Sequence, residues 1–103
     1  MKKISDCLKE NFEIEYRVHS LQRMFEREIT ESDAKYLLVH GDIVELYEDD
    51  YPLPSMLING CSSSNIPLHI VIAVNSDEKK LVVVTVYIPT SERWNADFTR
   101  RIL

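Results

Sequence analysis

A chain of 103 residues accommodates one domain, which on folding buries roughly two thirds of the surface that its unfolded form exposes. With 45% hydrophobic and 28% charged residues it has the composition of an ordinary globular protein, which excludes extensive disorder. The net charge of −5 excludes a protein that coats nucleic acid by bulk electrostatics, and no apolar run approaches the roughly 20 residues of a membrane span.

The opening MKKISDCLKEN returns to polar residues too soon for a signal peptide, so a cytoplasmic location is expected. Ile4 and Leu8, four apart, suit a short helix there. Cys7 and Cys61 form no CxxC pair and are expected to be free thiols. In FEIEYRV, residues 12–18, apolar Phe12, Ile14, Tyr16 and Val18 alternate with charged residues, which predicts a strand with one buried face. A helix is expected to follow with Ser20 as N-cap. At about 100° per residue, Val18, Leu21, Met24 and Phe25 share one arc, while His19, Arg23, Glu26 and Arg27 share the opposite one.

Thr30 followed by Asp33 signals the start of a second helix with Ala34, Leu37 and Leu38 as its apolar stripe and Gly41 as its C′ stop. Four strands then follow: 43–47, 56–59, 68–74 and 81–88, with NSDEK closing a hairpin between the last two. Thr90 or Ser91 can cap a terminal helix in which Trp94, Phe98 and Ile102 recur every four residues. The predicted class is α+β: a four- to five-stranded antiparallel sheet, two helices preceding the meander and a C-terminal helix.

Two polar groups carry the possible chemistry. His19, Arg23 and Arg27 lie on one helix face, and His69 lies in a strand whose hairpin partner is Thr85, Val86 or Tyr87 according to register, with Tyr87 or Thr85 as its companion. Histidine serves as base or acid near neutral pH and arginine clamps phosphate, so these residue types suit phosphodiester chemistry. The same row equally describes a solvated helix face laced with ion pairs, and His69 equally describes a hydrogen-bonded structural histidine. His40 is explained by the dipole at its helix end. Near the C-terminus, Trp94 with Arg93, Arg100 and Arg101 matches the aromatic-plus-guanidinium pattern that binds RNA, or else a ring packed on the sheet beside a helix end. No ligand spacing for a metal appears, nor a phosphate loop or GxSxG elbow, so no cofactor is expected. YEDDYPLPS, residues 47–55, reads as a rigid acidic loop that ends one strand and starts the next.

HSLQRMFEREIT (19–30), DDYPLPSMLING (49–60), PLHIVIAV (67–74) and TVYIP (85–89), followed by Trp94, in this order resemble the family filed as domain of unknown function 4258. That family is similar in outline to RelE-like and BrnT-like toxins of type II toxin–antitoxin systems. The resemblance implies a small α+β fold, metal-independent cleavage of RNA, and a small zinc-finger antitoxin as partner, with RNA or the ribosome as target. It marks His19, Arg23, His69 and Tyr87 as the catalytic set, with His19 or His69 as general base or acid and Tyr87 orienting or donating a proton. Arg27, Trp94, Arg100 and Arg101 are the expected substrate contacts, while by the family motif Pro54, Ser55 and Trp94 match as structural positions. The alternative is a non-catalytic module that docks a protein through its arginine face or its acidic loop.

Overall fold

The computed structural model describes residues 11–100. The helix expected around Ile4 and Leu8, together with Cys7, Arg101 and Ile102, lies outside the described residues. Among the described residues, strand β1 (Glu13–Tyr16) leads into helices α1 (Val18–Glu26) and α2 (Glu31–His40). Strands β2 (Asp42–Tyr47), β3 (Ser55–Cys61), β4 (Pro67–Asn75) and β5 (Lys80–Tyr87) follow as an antiparallel meander. The sheet order is β1-β5-β4-β3-β2. It is mixed rather than purely antiparallel, because β1 enters at the edge parallel to β5, from Glu13 opposite Lys80 to Tyr16 opposite Val83. None of the described helices is long and apolar enough to cross a membrane.

Both helices cover one face of this sheet. Strand alternation sends Leu68, Ile70 and Ile72 of β4 and Leu81, Val83 and Val86 of β5 into a core with Met24, Ile29, Ala34, Leu37 and Leu38. The residues between them, including Leu57, His69 and Ala73, are buried on the opposite face. Two bulges interrupt the ladders: Val44 in β2, and Val84, inserted in β5 between the pairs Val71–Thr85 and Ile72–Val83.

The start of α2 is as the sequence indicates, with the Thr30 hydroxyl accepting from the Asp33 amide and the Asp33 carboxylate accepting from the Thr30 amide. The start of α1 is not. Its N-cap is Arg17, and Ser20 sits inside the first turn, buried, with its hydroxyl donating to the Arg17 carbonyl at 2.7 Å. At its other end Glu28 adopts φ 59°, while the Glu28 amide donates to the Phe25 carbonyl and the Ile29 amide to the Met24 carbonyl. This double bond pattern is the Schellman stop, and its apolar clasp is the buried pair Met24 and Ile29.

No helix follows β5 among the described residues. Residues 91–100 form successive turns because polar side chains capture the amides a helix would use. Asn95 Oδ1 accepts from the Thr99 and Arg100 amides, Asp97 accepts from the Thr99 amide and hydroxyl, and Phe98 adopts φ 61°. The four-residue spacing of Trp94 and Phe98 therefore serves a strap across the sheet.

Candidate functional site

The helix α1 is rotated from its expected setting. The side facing the sheet is the line Ser20, Met24 and Arg27, of which Ser20 and Met24 are buried. The apolar arc of Val18, Leu21 and Phe25 turns to solvent, exposed at 70%, 38% and 85%. His19 and Arg23 are also exposed, and Arg23 makes a 3.6 Å ion pair with Glu26 in which both side chains are largely solvated.

Arg27 leaves this row. Pairing of β1 ends at Tyr16–Val83, so the outer edge of β5 is open beyond that point, and Arg27 donates a guanidinium hydrogen bond at 2.7 Å to the Val86 carbonyl. The expected substrate contact is thus tied to the backbone of the sheet. Arg27→Ala is expected to cost about 1–2 kcal/mol, read as a lowered midpoint in urea with unchanged slope, because the partly buried carbonyl loses a charged donor. An unchanged midpoint would show that solvent serves this carbonyl equally well.

The hairpin register places His69 opposite Tyr87, one of the two companions expected. His69 is fully buried, with Nε2 2.9 Å from the Phe98 carbonyl and Nδ1 3.2 Å from the Tyr87 hydroxyl. A carbonyl only accepts, so Nε2 carries the proton and Nδ1 accepts from Tyr87. The imidazole meets the Trp94 ring edge-on at a 4.5 Å centroid distance, and Trp94 is itself buried. His69 therefore anchors the strap of residues 94–98, aided by the Asn59 amide donating to the Asp97 carbonyl at 3.1 Å.

These positions separate the expected set. Leu68 and Ile70, on either side of His69, enter the core beneath the helices, so His69 and Tyr87 point to the face away from α1. His19 and Arg23 share no cleft with them. Trp94 is packed rather than presented to a base, and Arg100 stands exposed at the end of the strap. Among the described residues no group of three His, Cys, Asp or Glu side chains is placed to hold a metal.

Two concave regions stand out. One, of about 740 Å³, lies between β1 and α2, lined in part by Ile14, Tyr16, Glu31 and Lys35. Burial first, and the Glu31 carboxylate second, raise the Tyr16 phenol above its usual value, so it stays a protonated donor to the Glu31 carbonyl. The other, of about 310 Å³, lies on the helix-free face. Val71, Ala73 and Val84 form its floor, and Arg17, Asp50 and Tyr51 stand around it. The buried Ser55 hydroxyl donates to the Asp50 carboxylate and fixes that group. The sequence marks Asp50 and Tyr51 only as part of the acidic loop 47–55 and does not single out Arg17, because the three share no repeat. One signal was present: alternation in FEIEYRV sets Arg17 on the face away from Ile14 and Tyr16.

Comparison with known proteins gives one match. Residues 16–88 fit the sequence model of the family described as Domain of unknown function (DUF4258), from the end of β1 to just past β5. No curated protein and no solved structure matches the chain.

Proposed function

The chain belongs to the DUF4258 family, whose description assigns no activity, and from that premise we propose that it is a non-catalytic protein-binding module. The observation that carries this reading is the outward ridge of Val18, Leu21 and Phe25 on α1. Large apolar side chains rimmed by polar ones mark a surface that gains by being covered. From Arg17 to Arg23 the segment holds two arginines and a histidine and no acid, on a chain of net charge −5. The occupant that complements this surface is an amphipathic helix whose apolar stripe is bordered by aspartate and glutamate. An antitoxin-type zinc-finger protein, the partner that the sequence resemblance implies, is the first candidate to supply it.

The test is co-expression with a small zinc-finger protein of antitoxin type, followed by a binding titration of the purified pair. Phe25→Ala and Arg23→Ala should each weaken the complex roughly tenfold or more while leaving the melting temperature unchanged, since both side chains are exposed. A complex indifferent to both substitutions, or no complex, removes the proposal.

The same basic segment favours a second reading, a toxin-like metal-independent endoribonuclease in which Arg23 holds phosphate and the exposed His19 moves the proton. Expression of the wild type and Arg23→Ala, with growth and RNA integrity followed together, separates the two. RNA loss that disappears with Arg23 assigns catalysis, and intact RNA with normal growth leaves the binding module.

A further inference from the structure

We infer that the cavity on the helix-free face is a binding site for a purine nucleoside monophosphate, with guanine preferred. The inference shares Arg17 with the basic segment at the start of α1 but uses none of the apolar ridge of Val18, Leu21 and Phe25.

A floor of Val71, Ala73 and Val84 is flat, apolar and made of sheet, and the bulge at Val84 displaces one side chain of β5 outward beside it. Pro52 and Leu53 close one side. Small-molecule sites have this composition: an apolar bed with a few convergent polar groups, in a volume near 300 Å³ or above. Tyr51 stands beside the bed, 95% exposed, so that a face of its ring is open to a ligand. A planar heterocycle laid on Val71 and Ala73 would take the Tyr51 ring as its cover.

The polar groups select what that heterocycle carries. Ser55 donates to one oxygen of the Asp50 carboxylate, which turns a mobile loop acid into a fixed acceptor with lone pairs still available. Two adjacent N–H donors complement a carboxylate, and the Watson–Crick edge of guanine presents such a pair, whereas adenine presents one donor beside an acceptor. At another wall stands Arg17. Among the described residues its side chain joins no hydrogen bond or ion pair, and none links it to Asp50. Two opposite charges lining one cavity without closing on each other leave space for a ligand that carries both complementary groups.

Arg17 is also the N-cap of α1, with no side chain capping that end and no acid in the first turn. Arg17 is thus the cationic group of the cavity, at the corner where a phosphate would sit. Phosphate on Arg17, ring beneath Tyr51 and donor edge toward Asp50 use each polar feature of the cavity once.

The test is titration of the full chain with the four ribonucleoside 5′-monophosphates, guanosine, inorganic phosphate and indole-3-carboxylate, followed by amide chemical shifts. Guanosine monophosphate should bind saturably, shifting residues of β4, β5 and the loop at 50–55, and should bind more tightly than adenosine monophosphate. Guanosine and phosphate alone should each bind roughly tenfold more weakly or worse. Arg17→Ala should remove the advantage of the nucleotide over the nucleoside, and Asp50→Asn, which keeps an acceptor for Ser55, should remove the advantage of guanine over adenine. Lys35→Ala, an exposed position on α2 that lines no part of this cavity, should change neither. The inference falls if no nucleotide binds saturably, if binding ignores Arg17 and Asp50, or if indole-3-carboxylate binds as tightly as the nucleotides.

Discussion

Replacement of His69 by alanine is expected to lower the melting temperature by roughly 20 °C. Truncation of a fully buried aromatic side chain typically costs about 3–5 kcal/mol. Here it also leaves the Phe98 carbonyl and Tyr87 hydroxyl without the imidazole and the Trp94 ring without its edge contact. For a domain of this size each kcal/mol shifts the transition by about 4–8 °C. His69→Phe keeps an aromatic ring in place and loses the hydrogen bonds to Phe98 and Tyr87, so it should fall between wild type and alanine. Thermal unfolding followed by circular dichroism measures all three. A catalytic histidine in an open cleft behaves differently, since its loss abolishes activity and leaves the melting curve in place. A His69→Ala protein that melts within a few degrees of wild type would therefore return His69 to the list of reactive groups.

The second large effect is expected at Gly41, where α2 hands over to β2. A Cβ added there would lie 2.6 Å from the Leu37 carbonyl oxygen, 2.7 Å from Ile58 Cγ2 and 2.8 Å from the Asn59 carbonyl oxygen. Two of these three atoms belong to backbone held in a helix and in a strand, so the clash cannot be relieved by a rotamer change. Gly41→Ala should cost at least the upper end of the about 1–3 kcal/mol usual for overpacking. Gly60→Ala makes the internal comparison: its nearest obstacle is the Leu37 Cδ1 methyl at 2.5 Å, the end of a side chain, and its nearest backbone atom is the Gly41 Cα at 3.2 Å. It should cost clearly less. Urea unfolding of both variants decides the point, and a Gly60 variant less stable than the Gly41 variant would contradict the close approach described here.

Gly41 also shows how a position can be read correctly for an incomplete reason. Its place after Leu37 and Leu38 marked a helix stop, and α2 does stop there. A glycine that ends a helix commonly does so in left-handed backbone, yet Gly41 has φ −77°, a conformation open to any residue. What requires glycine is the close approach of the Leu37 carbonyl, the Ile58 side chain and the Asn59 carbonyl, and the last two belong to residues 17 and 18 positions away that no local pattern announces.

The helix α1 gives the converse case. Its residues alternate in polarity as the sequence says, but periodicity defines only the two sides of a helix, not which of them meets the protein. Packing on β5 chose the narrow line of Ser20 and Met24, which let Arg27 reach the Val86 carbonyl. The ridge of Val18, Leu21 and Phe25 was left outside, and with it the surface proposed for a partner.

By itself the amino-acid sequence determined the elements whose signals are local. These are the alternation that makes β1, the apolar runs between turn-forming clusters that make the meander, the Thr30–Asp33 box that starts α2, the hairpin between β4 and β5, and membership of the family from motifs in their order. Tertiary structure alone decided the rest: β1 joining β5 in parallel, the register that sets His69 against Tyr87, the turns at 91–100 in place of a helix, and the gathering of Arg17, Asp50 and Tyr51 around one cavity. The physical reason is range. Caps, periods and turns are settled by atoms a few residues apart, whereas the face a side chain presents and the neighbours it meets depend on how whole elements share their buried area.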